Sequence, residues 1–495
     1  MANNLKKGVF SSILLLVKNL SDKLIGLVST LILARILAPE DFGIIAIATL
    51  VMGLLEALSE TGSASYLLKE DYIDDEKVNT AWTLNLILKS TLVVVLIASV
   101  PNVKTFYNDL RVQNVLLALT FLFWLKALAN PGISYLSRNQ NYGKQVQVAL
   151  FGKVLSVIAA VIAAFIYESY WALVVGEGMK TFILVASSYL ISPHRPRFQL
   201  TNVKAQLGFS IWMIPQSIAG YTRTQLDTFI VSSHFGQAAL GSYHTMKYIA
   251  FIPSSHILLP LSWPFLVEIR AVVHDKQLFL NRAIGSSLLL LIICIPLTAI
   301  LCTQSKAVTL FLLGSQWIEY HYILSLFSLL IPAFVLTNEG NRLLILSGMT
   351  KQLFFVDLLR SIIVYGGVFC IGFENIQNFI SNFIALEVIL AVIYYLIVVW
   401  HRFGLSPMFR CFGYLCLFTV LTMISHYFAE LLTGFSAMQE IIKAMAYSML
   451  FVLSLLICLV IIDGILKRHS REWDYLSALI FRFSRSVLKS GSNKN

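Results

Sequence analysis

Residues 18–43 read Lys18-Asn-Leu-Ser-Asp22-Lys23-Leu-Ile-Gly-Leu-Val-Ser-Thr-Leu-Ile32-Leu-Ala-Arg35-Ile-Leu-Ala-Pro39-Glu40-Asp41-Phe-Gly43. A hydrophobic span carries Lys18, Asp22 and Lys23, then closes on a short turn at Pro39 to Gly43. At the centre of a membrane helix each Lys or Asp costs about 2.5 to 3.5 kcal/mol on insertion scales. Charges this close together require a face lined by water or protein rather than lipid. The rest of the chain is expected to supply that cavity.

Composition supports a membrane solvent. Of 495 residues 57% are hydrophobic and 13% charged, and the mean hydropathy is +0.77, far from a soluble globular balance. Apolar runs of membrane-spanning length recur along almost the whole chain, and no polar segment is long enough for a separate soluble domain. The net charge of +11, from 37 basic and 26 acidic residues, would suggest nucleic acid in a soluble protein. Here the basic residues gather in alternate loops, as membrane topology demands, so nucleic acid is not an expected partner. The six cysteines show no CxxC spacing and read as buried thiols.

The chain is read as all-α and polytopic, with fourteen spans near 9 to 33, 42 to 66, 80 to 100, 113 to 135, 144 to 166, 170 to 191, 207 to 233, 240 to 266, 284 to 304, 319 to 341, 352 to 373, 376 to 400, 407 to 428 and 438 to 463. The Lys6-Lys7 start is not read as a signal peptide, because its apolar run continues to Leu33 without a small-residue cleavage site. An even number of spans puts both termini on one side, and both are basic, which places them in the cytoplasm. Loops on that side carry Arg138, Arg195, Lys204, Arg270, Lys351 and Arg402; those opposite carry little beyond Arg35, Lys104, Arg111 and Lys306. Two nonspanning pieces, Val267 to Arg282 and Trp473 to Lys489, look interfacial. The eighth span contains Pro253, Pro260 and Pro264; it is the first candidate for a bending element, with a static kink as the slightly favoured alternative, since proline is common in membrane helices.

Shifting the chain by 198 residues brings Leu33–Gly43 onto Val231–Gly241, both short turns closing on glycine between spans. A second match sets Leu136–Gln145 against Leu346–Gln352. Six spans per copy keep the copies parallel, giving two pseudo-symmetric lobes. The expected division is 1–204 for the first lobe, 205–402 for the second, and 403–495 for a terminal helix pair and amphipathic tail.

Charges at membrane depth are the candidate site. In the first half they are Lys18, Asp22, Lys23, Glu56, Glu60, Lys89, Lys126, Lys153, Glu177 and Lys180. Lys18 and Asp22 stand four residues apart and Glu177 and Lys180 three, so each can pair along its own helix. Lys89, Lys126 and Lys153 have no such neighbour; they either form a cationic lining or pair with Glu56 or Glu60 on other helices. In the seventh span Gln216, Gly220, Arg223 and Asp227 are spaced 4, 3 and 4, one helical face. Under the 198 shift that face falls in the register of Lys18 and Asp22. Arg223 and Asp227 either neutralise each other or serve transport. Arg360 completes the set of cavity candidates.

Several chemistries are missing. There is no G-x-x-x-x-G-K phosphate loop, no H-E-x-x-H, no G-x-S-x-G and no histidine cluster, and the outside loops are too short to house a catalytic centre. No enzyme, metal site or bound cofactor is expected.

At these residues the chain resembles the polysaccharide transporters of the multidrug/oligosaccharidyl-lipid/polysaccharide (MOP) exporter superfamily, including Wzx-type O-antigen and colanic-acid flippases. Ile32 to Gly43 looks like their first turn and Asp227 to Tyr243 like its second-half counterpart. Phe311 to Trp317 and Asn341 to Gly348 resemble later span junctions. The resemblance implies two six-helix lobes plus a terminal pair in the bacterial inner membrane, alternating between inward-open and outward-open states. Its implied cargo is an undecaprenyl-pyrophosphate-linked oligosaccharide for O-antigen, capsule or exopolysaccharide. Implied too are coupling to H+ or Na+ and, as partners, the lipid bilayer, a polysaccharide polymerase and a chain-length regulator. The alternative on the same scaffold is a cation-coupled multidrug antiporter, whose site for cationic drugs should carry an acidic excess.

Overall fold

A computed structural model describes every residue except 1, 70, 71, 73, 139–141, 202, 435–439, 467–471 and 476–495. Most described residues are helical, with no strand among them, as the apolar spans require: with no water to bond the backbone, a spanning segment must satisfy its amides internally. Twelve described segments are long and apolar enough to cross a membrane. Two further expected spans are helices of 35 and 32 residues, Ala2–Ile36 and Val203–His234. Both fall outside the twelve because they carry the polar stripes, Lys18 and Asp22 on one, Gln216, Arg223 and Asp227 on the other. The chain is a multi-pass membrane protein. Bulky apolar side chains such as Val94, Phe165, Phe354, Met449 and Val460 stand exposed on helix surfaces, which in water would be a liability and in lipid is the ordinary exterior.

The chain forms two compact units, Met1–Thr245 and Met246–Asn495. In the first, the elements are α1 (Ala2–Ile36), α2 (Pro39–Leu58), α3 (Ser63–Lys69), α4 (Asp75–Tyr107), α5 (Leu110–Ala127), α6 (Ile133–Arg138), α7 (Gly143–Tyr167), α8 (Trp171–Ile191), α9 (Val203–His234) and the first part of α10 (Gly236–Ile252). α1 packs on α7, α7 on α8, α4 on α5, and α2 on both α5 and α9. Small residues make the first of these contacts close: Leu33 of α1 and Leu37, just past its end, bury against Ala160, Ala163 and Ala164 of α7 and Ala172 of α8.

The turn at Pro39 to Gly43 starts α2. Proline at the first helical position has its φ preset and no N–H to lose. Asp41 accepts from the Ala38 amide at 3.1 Å and from the Tyr170 amide at 3.0 Å, so one carboxylate caps α2 and fastens the α7–α8 turn to it. Gly43 then meets α10: a Cβ on Gly43 would lie 1.8 Å from the Gln237 carbonyl oxygen, and one on Gly241 would lie 1.9 Å from that of Pro39. Only glycine permits backbones this close.

Between α8 and α9 the chain is extended and buttoned to α4. The amides of Arg197, Gln199 and Thr201 donate to Asn79 Oδ1, Thr83 Oγ1 and Thr80 Oγ1, each at 3.1 Å. Alternate residues do this because an extended segment turns every second amide the same way. His194 adds Nε2 to Asn79 Oδ1 at 3.0 Å.

The second unit holds a π-helical turn at Pro253–Leu258, α11 (Leu259–Arg270), α12 (Lys276–Thr303), α13 (Ser305–Leu312), a 3-10 turn at Ser315–Tyr320, α14 (His321–Ser328), α15 (Leu330–Leu346), α16 (Thr350–Ile371), α17 (Ile376–Phe403), α18 (Leu405–Gly434) and α19 (Glu440–Leu466). The π-helical turn in the eighth span begins at Pro253, where a proline forfeits its amide bond. Val267 to Arg282 differs from its interfacial reading: it is the end of α11, a turn and the start of α12, with Ile269, Phe279 and Leu280 in the core. Most of the expected tail helix Trp473 to Lys489 lies outside the described residues, although Trp473 is buried and donates to Asp463 at 2.7 Å. Cys294 and Cys411 are buried; Cys370 and Cys416, expected to be buried, are exposed on α16 and α18, whose surfaces are apolar enough to face lipid.

Candidate functional site

The first unit contains a cavity of about 410 Å³ between the end of α2, the first half of α4, and α5 with the turn that follows it. α4 supplies Trp82, Asn85 and Lys89. Their spacing of three and four sets them on one helical face, and Lys89 lies roughly 20 Å along α4 from its start at Asp75. Across the cavity stand Glu56 and Glu60, again four apart, and α5 adds Lys126. Two lysines face two glutamates, so the cavity is formally neutral rather than cationic.

The lysines differ in their commitments. Lys126 Nζ lies 3.2 Å from a Glu56 oxygen and 3.3 Å from one of Glu177. Of the two readings open for it, pairing across helices is the one observed. Lys89 sits over the Phe123 ring, 5.1 Å from its centroid, and has no carboxylate within 4 Å among the described residues. Asn85 has no hydrogen-bond partner among them. Trp82 is 8% exposed, and its indole Nε1, itself out of reach of solvent, has no acceptor among the described residues.

A second cavity of about 480 Å³ lies among α1, α7 and α8 and is lined by Lys18, Asp22, Lys153 and Lys180. Lys18 and Asp22 pair at 2.8 Å and Lys180 pairs with Glu177 at 2.9 Å, the two along-helix pairs that the spacing allows. Lys153 has no ion-pair partner among the described residues. Glu177 holds both Lys126, at the first cavity, and Lys180, at the second, so α8 carries one carboxylate shared by two compartments.

The remaining candidates lie elsewhere. Lys23 is exposed, as are Gln216 and Arg223. Asp227 is buried and accepts from the Tyr243 hydroxyl at 2.5 Å, joining α9 to α10. None of these four lines either cavity. Arg360 belongs to the second unit, where it bonds the Glu387 carboxylate and donates to Thr337 Oγ1 at 2.7 Å. That unit also contains a buried ion pair, Glu339 with Arg342 at 3.0 Å, and an apolar cavity of about 770 Å³ lined by Leu291, Ile295, Phe412, Leu415 and Met423 among others. Its lining suits hydrocarbon rather than saccharide.

Trp82 and Asn85 were missed in the sequence because a search by charge passes over an indole and an amide. Their signal was register: both fall on the face already marked by Lys89.

Residues 32–322 match the model of a family described as polysaccharide biosynthesis protein. The succinoglycan biosynthesis transport protein ExoT of Rhizobium meliloti (strain 1021) is 24% identical over 341 residues, 68% of this chain and 69% of that protein. Among solved structures, the lipid II flippase MurJ in an inward closed conformation superposes with a TM-score of 0.70 at 15% identity, over 92% of this chain and 99% of that one. An inward-facing multidrug resistance transporter of the MATE family, described as a member of the MOP superfamily, gives 0.55 at 12% identity, over 79% and 96%. At these identities the structural likeness establishes the fold.

Proposed function

The chain belongs to the polysaccharide biosynthesis protein family, and on that premise we propose that it is a flippase for lipid-linked oligosaccharides. It moves undecaprenyl-pyrophosphate-linked repeat units from the cytoplasmic to the periplasmic leaflet of a bacterial inner membrane, for O-antigen, capsule or exopolysaccharide assembly. It does so by alternating access and forms no covalent bond with its cargo. The observation that carries this reading is a polar cavity walled by spanning helices, lined by Lys89, Asn85, Lys126, Glu56 and Glu60. Polar groups at membrane depth persist where a polar cargo or water compensates them.

On this reading both termini are cytoplasmic, the lobes are 1–204 and 205–402 with a terminal pair at 403–495, and the product passes to a polysaccharide polymerase and chain-length regulator. Coupling to H+ or Na+ belongs to the same reading: one charge crossing the membrane yields about 2.3 kcal/mol per 100 mV.

The MATE-like fold supports a second reading, a cation-coupled multidrug antiporter. Charge argues against it, since the first cavity has no acidic excess. The deciding experiment is gene deletion followed by lipid extraction. A flippase leaves surface polysaccharide lost and lipid-linked oligosaccharide accumulating; intact polysaccharide with heightened drug sensitivity would overturn it in favour of the antiporter.

A further inference from the structure

His194 lies just past the end of α8, in the extended connector that runs along α4 to α9. Its side chain is more than nine-tenths buried, and neighbours from several elements hold it. Asn130, in the turn after α5, donates through Nδ2 to the His194 carbonyl at 2.7 Å. The Tyr135 ring of α6 meets the imidazole in a T-shaped contact, 5.9 Å between centroids. From α4, Asn79 Oδ1 lies 3.0 Å from Nε2 and Asp75 Oδ1 lies 3.2 Å from Nδ1.

Both ring nitrogens therefore face oxygen. The backbone settles which way Asn79 points: the Arg197 amide, which can only donate, reaches the same Oδ1 at 3.1 Å. That atom is an acceptor, so His194 Nε2 must bring it a hydrogen. A neutral imidazole has one N–H, and with it on Nε2 the ring would turn a bare lone pair toward the Asp75 carboxylate. Asp75 is an acceptor as well, since the same oxygen takes the Tyr135 hydroxyl at 2.7 Å. Only the imidazolium, with a hydrogen on each nitrogen, suits both neighbours. Asp74, next to Asp75, caps α4 by accepting from the Lys77 amide at 2.8 Å and adds negative charge beside it. Arg195 opposes the imidazolium charge in part, but its guanidinium is turned to the Ser192 and His194 carbonyls, at 2.8 and 2.9 Å.

We propose that His194 is a proton-binding site that clasps the connector to α4, closed while the ring is imidazolium and opened by loss of the Nδ1 proton. That loss turns attraction to Asp75 into repulsion. Because the ring shares Asn79 with the Arg197 amide, loosening it weakens the next attachment of the connector too. The docked connector binds a proton that the free one can lose to water, so docking is favoured on the acid side and weakened on the alkaline side. The clasp does not depend on what the protein carries and goes beyond the flippase reading.

The test is hydrogen exchange on the full-length protein in lipid nanodiscs, read by mass spectrometry on a peptide covering 194–201 and expressed as protection relative to the unstructured rate at each pH. In the wild type, protection is expected to fall about tenfold from about pH 6 to about pH 8, the interval in which histidine changes charge, while that of α12 stays constant. Two variants remove the conflict between lone pair and carboxylate. Asp75→Asn leaves an amide that can donate or accept, and His194→Gln keeps a donor for Asn79 without titrating. Each is expected to show the same protection at both pH values. A monodisperse elution profile checks folding, and because the Asp75 side chain is 73% exposed, its variant carries the test if the histidine variant fails to fold. Constant protection in the wild type, or a pH dependence that survives in either folded variant, overturns the clasp.

Discussion

Gly43 and Gly241 are reciprocal. The first abuts the backbone of Gln237 and the second that of Pro39, and each pair is related to the other by the same shift of 198 residues that aligns the two turns. Residue 39 meets 241 while 43 meets 237, which is how an isologous two-fold contact reads when both partners lie on one chain. The sequence repeat is therefore also a contact, made where α2 and α10 cross.

A methyl group at either glycine must push two backbones apart. Gly43→Ala and Gly241→Ala should each destabilise the purified protein by about 1 to 3 kcal/mol, the usual cost of overpacking. Because both prise open one crossing, the double variant should lose less than the sum. Thermal unfolding in detergent measures this, and strictly additive losses would show that the glycines act at separate places.

Lys89 and Lys126 face the same cavity but should behave differently. Lys126→Ala strips Glu56 and Glu177 of a partner and should cost about 1 kcal/mol, discounted because the pair is partly solvated. Lys89→Ala strands no carboxylate and should leave stability within about 0.5 kcal/mol. Both should reduce polysaccharide export from cells. Equal melting shifts would contradict the assigned partners.

At the second cavity, Lys153→Ala should be tolerated by the fold, since no described carboxylate relies on it. If that cavity is on the cargo route, export should fall at unchanged protein level, as judged by surface polysaccharide against membrane immunoblot. Normal export would remove the α1–α7–α8 cavity from the route.

In the second unit, Glu339 and Arg342 are almost wholly buried, with the Ser286 and Ser287 hydroxyls 3.5 and 3.4 Å from the glutamate. Arg342→Met should be severe, about 3 to 5 kcal/mol, because it leaves a carboxylate in the core. Adding Glu339→Met should restore much of the loss by removing that stranded charge. Yield of monodisperse protein reports both, and no recovery in the double variant would argue that the pair does more than neutralise itself.

The spans were legible because apolar runs of bilayer length have one structural answer, and the change of winding at Pro253 was legible because proline has no amide to give. Pairing along one helix, Lys18 with Asp22 and Glu177 with Lys180, follows from spacing alone. What spacing could not reveal is that Lys126 reaches Glu56 and Glu177 on two other helices, since that depends on which faces of α2, α5 and α8 meet. Nor could it separate Lys89, left uncommitted, from Lys126, which is not. Trp82 and Asn85 stayed hidden for another reason: their place in the cavity wall depends on how α4 meets α2 and α5, which is visible only once those neighbours are placed.

The extended segment between α8 and α9 carries a mechanical consequence. Eleven residues stretched out reach about 36 to 40 Å, enough slack for the helices they join to drift far apart. Held at Asn79, Thr80 and Thr83, this segment has almost none. Thr83 sits between Trp82 and Asn85, so the connector is anchored to the very stretch of α4 that forms the cavity wall.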